Sequence, residues 1–392
     1  MSVLVTGPAA PTPRRDARAL NVERVPPVAR WDWWLAGLVL LQMAFGLLMI
    51  LSASSLSADA RFGNPAHFVT RQVAGLVLGL VLGAGVVRTR WSVVRAAALP
   101  TYFVAIFGLL LVLTPLSHSA NGATRWISIA GLNFQPSEFA KLALVFAMAY
   151  FLANNEGRLN DFAVVIMSLA VPVPLLLLVI LQPDFGTTVI LSALTGVMVF
   201  LAGLRWRLVG SLGGAGIAAL GLVAVLEPYR MRRFATFFDP FADTAGSGYQ
   251  VIQGWIALAS GGWSGRGITG GFAQSGFLPE AHTDFISAVV GEEFGALGFV
   301  ALVLSYALLV WRGTVIARRA ADFFGMLLAM GITLLMGSQA IINLGVVVGV
   351  LPPKGLVLPF LSYGSSAALV HTLCVALLLR ISMHRAPEAR TR

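Results

Sequence analysis

The sequence predicts an all-α integral membrane protein with ten transmembrane helices. Three observations support this prediction: hydrophobic residues make up 57% of the 392 residues, charged residues make up only 11%, and the mean hydropathy is +0.83. A water-soluble domain carries about 25% charged residues, and a chain with so few could not cover its surface with polar groups. The composition therefore excludes an ordinary soluble enzyme.

The apolar runs locate the predicted helices, since a helix needs about 20 apolar residues to cross the hydrocarbon core. The first 33 residues are polar and lack the apolar core of a signal peptide, so we expect the first run to stay as an anchor. The runs follow in the order 35–56, 71–87, 94–115, 137–153, 162–181, 186–203, 208–226, 285–310, 323–345 and 357–379. Ten spans place both termini on the same side of the membrane.

The basic residues predict the orientation of these spans. With both termini inside, 18 Lys and Arg residues fall in inner segments and 8 in outer ones, which indicates cytoplasmic termini. Topology thus explains the net charge of +10, and nucleic-acid binding loses its support. We expect cytoplasmic tails over 1–33 and 381–392 and a membrane domain over 34–380. A large extracytoplasmic loop at about 227–284 separates helices 7 and 8, and a smaller outer loop covers about 116–136.

Ionisable side chains at membrane depth are costly and usually functional. Those near the predicted outer ends of spans are Glu138, Lys141, Asp184, Asp284, Glu292 and Glu293. Pro136 and Ser137 indicate a helix start, and a spacing of three places Glu138 and Lys141 on one helix face. Two interpretations are open: a structural ion pair, or a lysine that faces a phosphate while the glutamate orients it.

Asp184 lies between two closely spaced spans, where it is expected to cap the next helix with Thr187 nearby. A second role, facing the same cavity as the other charges, is an alternative. Glu292 and Glu293 fall two to three turns into the span that follows the long loop. For one of them, pairing with an arginine is the structural interpretation.

The segment 279–285 has the richest chemistry, because Glu280, His282, Thr283 and Asp284 lie together where the long loop re-enters the membrane. A carboxylate at an apolar boundary tends to have a raised pKa, which suits a general base near neutral pH. Alternatively, Asp284 caps the following helix, or His282 and Asp284 share a divalent cation.

Three arginines, Arg230, Arg232 and Arg233, lie on the predicted outer side, against the positive-inside bias. Binding of a phosphate or diphosphate group is one physical reason, since the guanidinium fork matches phosphate oxygens. A solvated loop face is the alternative.

Two further segments near the C-terminus are polar or rigid. The run 359–366 contains Ser362 and interrupts the last span, so its freed backbone groups must face protein or a wet cavity. The run 352–355 forms a rigid outer turn that presents Lys354. The glycine pattern at 265–270 matches a dinucleotide motif, but no strand precedes it, which argues against that function.

Several of these segments form a set of motifs: Arg125-Trp126-Ile127, Gln135-Pro136-Ser137-Glu138-x-x-Lys141, Gln182-Pro183-Asp184-x-Gly186-Thr187, Gly248-Tyr249-Gln250, Pro279-Glu280-x-His282-Thr283-Asp284-Phe285 and Pro359-Phe360-x-Ser362-Tyr363-Gly364-x-Ser366. Together they resemble the SEDS family of polytopic peptidoglycan glycosyltransferases, in the family's order and over about 35–380. The runs 351–355 and 291–293 resemble the cell-division branch, whereas 261–267 is closer to the elongation branch. Ser365 replaces a glycine that is usual in the last motif.

The resemblance implies that the chain polymerises lipid II into glycan strands at the outer face of the bacterial inner membrane, at the division septum. Asp284 matches the family's proposed general base, and inversion at the anomeric carbon implies a single displacement. Lys141, Arg230, Arg232 and Arg233, or a divalent cation (Mg²⁺ or Mn²⁺), would meet the charge of the departing undecaprenyl diphosphate.

Further expectations follow from the same resemblance. The other substrate-binding candidates are Glu138, Glu280, His282 and Ser362. A class B penicillin-binding protein is the expected transpeptidase partner, beside other division membrane proteins and the undecaprenyl-diphosphate-linked glycan. Two other function classes compete with this one: a transporter that flips lipid II, and a non-enzymatic scaffold. The clustering of charges on one side opposes a flippase, which needs a path to both leaflets.

Overall fold

The computed structural model describes residues 31–115, 117–120, 123–129, 132–225, 231, 235–244, 246, 248–272 and 276–384. The helices are α1 (Trp33–Phe62), α2 (His67–Arg88), α3 (Trp91–Ala96), α4 (Ala98–Val112), α5 (Pro136–Asn154), α6 (Phe162–Ala170), α7 (Val173–Leu181), α8 (Phe185–Leu201), α9 (Trp206–Val225), α10 (Tyr249–Gly261), α11 (Ile286–Arg318), α12 (Phe323–Val347) and α13 (Ser365–Met383). Three strands, β1 (Ser117–Ala120), β2 (Ala123–Ile129) and β3 (Leu132–Phe134), lie between α4 and α5, and a 3₁₀ turn covers Pro240–Asp243.

Each of the ten predicted spans overlaps a helix or two consecutive helices. In the described part of the chain, eight segments are long and apolar enough to cross a membrane: α1, α2, α3 with α4, α5, α6 with α7, α11, α12 and α13. The other two predicted spans are α8, with 17 residues, and α9, with 20. The predicted all-α membrane fold is confirmed.

The last predicted span, 357–379, is wrong at its beginning, because α13 starts only at Ser365. The segment 351–364, which we call the buried strap, is not helical although most of its second half is buried. Pro359 lacks a backbone N–H, and Phe360 has a φ of +64°, so neither residue fits a helix interior. The sequence analysis predicted an interruption at 359–366, whereas the hydropathy of the run, which set the bounds of the span, did not show it.

The central helices of the bundle are α5, α12 and α13. The apolar stretches of these three helices are 78%, 67% and 78% buried, in that order. The corresponding stretches of the other five segments long and apolar enough to cross a membrane are only 22–44% buried. Helices that protein surrounds on all sides can hold polar groups that lipid would not tolerate. The buried residues Glu138 and Lys141 accordingly lie on the first turns of α5.

Glycines allow α2 to pack closely against α13. A Cβ atom on Gly75 would lie 2.5 Å from the carbonyl oxygen of Ser365, and one on Gly79 would lie 2.8 Å from the Cβ of Thr372. Gly83 continues the row at the same spacing of four residues and faces Ala376. Small residues at this spacing let two membrane helices approach until their backbones touch.

The loop at 116–136 contains a small antiparallel sheet, in the order β1–β2–β3, that the sequence analysis did not predict. Ile127 pairs with Phe134, and His118 pairs with Trp126 before a bulge shifts the register of β1 against β2. Arg125 on β2 donates through Nε to the carbonyl oxygen of Gln182 at 3.0 Å. The sheet is therefore tied to the junction of α7 and α8.

Helix α11 is broken at Gly295, whose φ of 68° and ψ of −168° are not helical. The loop 262–267 fills the break. Its N–H groups at Arg266 and Gly267 donate to the carbonyl oxygens of Glu292 and Glu293, at 3.0 Å each. In return, the N–H groups of Ala296 and Leu297 donate to carbonyl oxygens of the same loop at 2.9 and 3.2 Å. The glycine-rich segment thus replaces helical hydrogen bonds.

The side chains of Glu292 and Glu293 bind backbone groups just after this loop. A carboxylate oxygen of Glu292 accepts from the N–H of Phe272 at 2.7 Å, and one of Glu293 accepts from the N–H of Thr269 at 3.3 Å. Glu293 also accepts from the hydroxyl of Ser52 on α1 at 2.5 Å. Hydrogen bonding of this kind makes the burial of two carboxylates tolerable.

The packing of α2 on α13 generates a stability prediction. We expect Gly75→Ala to lower the free energy of unfolding by about 1–3 kcal/mol, because the new methyl group would overlap the backbone of Ser365. Thermal unfolding in detergent measures this effect. Gly85→Ala on the same helix is the control, since no atom lies within 4 Å of its added Cβ. Equal melting temperatures for the two variants would contradict the close contact.

Candidate functional site

The candidate site lies at the predicted outer end of the bundle, where the loop before α11 meets the buried strap. The hydroxyl of Ser362 donates to the carbonyl oxygen of Thr283 at 2.6 Å and accepts from the N–H of Leu358 at 2.9 Å. The N–H of Tyr363 donates to the carbonyl oxygen of His282 at 2.8 Å. Two motifs that lie about 80 residues apart in the sequence are thus joined directly through their backbones.

Asp284 is half-buried and stands two residues before the first residue of α11. The N-cap residue of this helix is Phe285, whose side chain makes no capping hydrogen bond, and Asp284 lies one residue before this position. The carboxylate faces the backbone of Gly355, where an added Cβ would lie 2.9 Å from Oδ2. The carboxylate therefore lies at the edge of the buried strap and stays partly exposed.

Glu280 and His282 lie on the same turn as Asp284. Glu280 has a φ of +53°, a strained value for a residue with a side chain, and its Oε2 accepts from the hydroxyl of Thr283 at 3.0 Å. The ring centroid of His282 lies 4.3 Å from that of Phe68 on α2. Burial lowers the pKa of His282, and Glu280 opposes this effect only in part. The imidazole is therefore neutral at pH 7.

Glu138 and Lys141 form the predicted ion pair on the first turns of α5. Their Oε1 and Nζ atoms are 2.7 Å apart, and the two residues are only 6% and 1% exposed. Within the described residues, the second carboxylate oxygen of Glu138 has no hydrogen-bond partner. The burial of the pair supports its structural interpretation, and the unpaired oxygen marks a polar atom that can still accept a hydrogen bond.

Asp184 caps α8 as predicted. Its Oδ1 accepts from the N–H of Thr187 at 3.1 Å, and its Oδ2 accepts from the hydroxyl of the same residue at 2.8 Å. The hydroxyl of Ser137 on α5 also points to Oδ2, at 3.4 Å. The cap therefore connects the first turns of α5 and α8.

Lys354 on the buried strap completes this group, although it was not among the predicted site residues. Its Nζ lies 4.9 Å from the ring centroid of Phe185, at the start of α8. Burial lowers the pKa of Lys354, and the nearby charge of Asp184 opposes the shift. Since the backbone of Gly355 faces the carboxylate of Asp284, the strap links the Asp184 cap with the segment 279–285.

The structure does not place every predicted residue. Arg230, Arg232 and Arg233 lie outside the described residues. For a metal, the described part of the chain contains no group of three or more His, Cys, Asp or Glu residues that could hold an ion. The pair of His282 and Asp284 therefore stays a prediction as a cation site.

Sequence reasoning missed Asn343, which is 1% exposed on α12 and hydrogen-bonded to the backbone of Asp284. A polar residue inside an apolar span was the available signal, but Asn343 carries no charge and so does not belong to the ionisable side chains at membrane depth. Arg71 on α2 was also missed. It lies beside Tyr363, whose ring centroid is 5.7 Å from that of His282.

The chain matches the FtsW/RodA/SpoVE family, described as cell cycle protein, over residues 32–387. Curated relatives include a "Probable peptidoglycan glycosyltransferase FtsW" of Halothiobacillus neapolitanus, 42% identical over 97% of this chain and 93% of that protein. A protein of the same description from Legionella pneumophila is 39% identical, over 91% of each chain. The predicted similarity to the division branch agrees with these names.

Solved structures show the same fold. A chain from a structure described as "Structural coordination of polymerization and crosslinking by a peptidoglycan synthase complex" matches with a TM-score of 0.75 and 31% identity, over 91% of this chain and 99% of that one. The rod shape determining protein RodA of Thermus thermophilus matches with a TM-score of 0.67 and 28% identity, over 91% and 98% of the two chains. The chain therefore belongs to the FtsW/RodA/SpoVE family of cell cycle proteins, as the resemblance of its motifs to the SEDS family predicts.

Proposed function

We propose that this chain is a peptidoglycan glycosyltransferase that polymerises lipid II into glycan strands during cell division, with Asp284 as the general base. The observation that carries the proposal is the position of Asp284. Its carboxylate is half-buried at the predicted outer end of the bundle, beside a buried strap that other polar groups also reach. The similarity to proteins named as peptidoglycan glycosyltransferases supports the same activity.

The reaction is a single displacement at the anomeric carbon of the donor glycan. Asp284 takes the proton of the acceptor's 4-hydroxyl while that oxygen forms a bond to the anomeric carbon. The bond from this carbon to the diphosphate oxygen breaks, and its electron pair leaves with undecaprenyl diphosphate. Inversion of an α-linked donor gives a β-linked product, so no covalent enzyme intermediate is needed. The proton then passes from Asp284 to solvent.

Cationic groups must meet the diphosphate as its charge develops. Lys141 and the outer arginines Arg230, Arg232 and Arg233 are proposed for this role. Lys354 joins them, because it lies in the same region of the site and makes no ion pair within 4 Å among the described residues.

The remaining candidates are proposed to bind the sugars and their substituents. A neutral His282 can donate or accept one hydrogen bond, and Glu280 lies two residues away on the same turn. The hydroxyl of Ser362 is engaged with two backbone groups, so its contribution to substrate binding would be to hold the segment 279–285 in place.

The proposed setting is the bacterial inner membrane at the septum, with both termini cytoplasmic. A class B penicillin-binding protein is the proposed partner, since this chain resembles a component of a structure that joins polymerization with crosslinking. Such a partner would supply the transpeptidase that acts on the new strand.

The first test of this function is Asp284→Asn. We expect it to lower lipid II polymerisation by about 10²–10⁴-fold, because an amide cannot take the proton from the acceptor hydroxyl. The measurement is glycan-strand formation from purified lipid II by the chain co-purified with its penicillin-binding partner. Asp59→Asn is the matched control. It makes the same change at an exposed residue near the C-terminal end of α1, which lies on the predicted outer side. Strands from the Asp284 variant at the wild-type rate would remove Asp284 as the base. If wild type and variant both made no strands as folded complexes, transport or scaffolding would be favoured instead.

A second test separates the two roles of the Glu138–Lys141 pair. Lys141→Met alone leaves a buried, unpaired carboxylate, which we expect to cost about 3–5 kcal/mol of stability and most of the folded protein. The double variant Glu138→Gln, Lys141→Met has no unpaired charge and should recover the folded yield. If Lys141 binds the diphosphate, the turnover of the folded double variant should still fall at least about tenfold. A folded double variant with normal turnover would leave the pair with a structural role only.

A further inference from the structure

Asn343 on α12 joins three segments of the site through one buried amide. Its Nδ2 donates to the carbonyl oxygens of Asp284 at 2.9 Å and Leu356 at 2.8 Å, and its Oδ1 accepts from the hydroxyl of Ser287 at 3.1 Å. An amide nitrogen carries two protons, so both are used. The two carbonyl acceptors and the hydroxyl donor also fix which end of the amide is nitrogen.

This amide acts at the point where the carboxylate of Asp284 meets the buried strap. Leu356 directly follows Gly355, whose backbone faces Oδ2 of Asp284. The two backbone carbonyls that Asn343 binds therefore belong to Asp284 itself and to the residue that follows Gly355. Because each carbonyl lies one hydrogen bond from the same nitrogen, the amide sets how closely the strap approaches the carboxylate.

Other contacts keep these segments together without Asn343. The hydroxyl of Ser362 donates to the carbonyl oxygen of Thr283, and the N–H of Tyr363 donates to the carbonyl oxygen of His282. The hydroxyl of Tyr306 donates to the carbonyl oxygen of Pro359 at 2.5 Å. These bonds preserve the docking of the strap on the loop. Loss of the Asn343 amide should consequently change the local position of Asp284 more than the fold.

We propose that Asn343 is a positioning residue for the glycosyl transfer, acting through Asp284 by holding its backbone against Gly355. The inference rests on the proposed function, because it assigns a role to Asn343 in placing the base of that reaction. A general base must lie within hydrogen-bond reach of the proton that it takes, and a displacement of about 1 Å can cost a factor of about 10² in rate.

The experiment compares kcat and KM for lipid II in the complex of the chain with its penicillin-binding partner. Asn343→Leu keeps the size of the side chain and removes its hydrogen bonds. It should lower kcat about 10- to 100-fold and leave KM within about twofold. Gly355→Ala is the second variant, because its new Cβ would displace the flexible carboxylate rather than the backbone. It should lower kcat in the same range without loss of folded protein.

Two further comparisons distinguish positioning from a structural role. Gln42→Met is the matched control: it removes another buried amide that also binds a serine of α11, Ser305 at 3.0 Å, and its kcat should equal that of the wild type. The double variant Asn343→Leu, Gly355→Ala should lose less than the product of the two single losses, since both act on the same carboxylate.

The outcomes separate this inference from the proposed function. If the wild type makes glycan strands and Asn343→Leu merely lowers the amount of folded protein, with kcat per folded molecule unchanged, the positioning role is overturned. A rise in KM alone, or a double variant whose loss is the full product, overturns it as well. A folded wild-type complex that makes no strands overturns the proposed function, and the role of Asn343 with it.

Discussion

The structure depends on how the backbone of the buried strap is satisfied inside a helix bundle. A non-helical chain at membrane depth exposes N–H and C=O groups that lipid cannot bind, so protein must bind them. Side chains from three helices do this: Gln72 on α2 binds backbone groups at Ser362 and Gly364, Tyr306 on α11 binds Pro359, and Asn343 on α12 binds Leu356. Asn343 also binds the carbonyl oxygen of Asp284, so the same amide joins the strap to the segment that carries the carboxylate.

Much of the fold could be predicted from the sequence, because a bilayer imposes one length and one composition on every span. The Asp184 cap was predictable for a similar reason, since its partner Thr187 is three residues away. The small sheet at 117–134 was missed because its strands have three to seven residues and are stabilised by contacts such as that of Arg125 with Gln182. The polar run 359–366 indicated the interruption before α13, but the start of the span was placed too early because the residues 356–361 are almost all apolar.

In the site, too, features set by residues close in the sequence were predictable, and features set by residues far apart in it were not. The Glu138–Lys141 pair follows from a spacing of three residues and was predicted. The positions of Lys354 and Asn343 depend on residues far away in the chain, and no spacing within the sequence indicates them. A buried asparagine also carries no charge, so its cost at membrane depth is less conspicuous than that of an aspartate. Only the three-dimensional contacts show that it binds the backbone of Asp284.

The loop that fills the break in α11 has a consequence for sequence variation in this family. Surface loops usually tolerate insertions and deletions, because few of their backbone groups are engaged. The segment 262–267 instead supplies hydrogen bonds to the inside of a helix, and Gly265 and Gly295 meet without space for a side chain on either. Its length and its glycines should therefore vary as little among homologues as those of a buried helix, although it belongs to the longest loop of the chain.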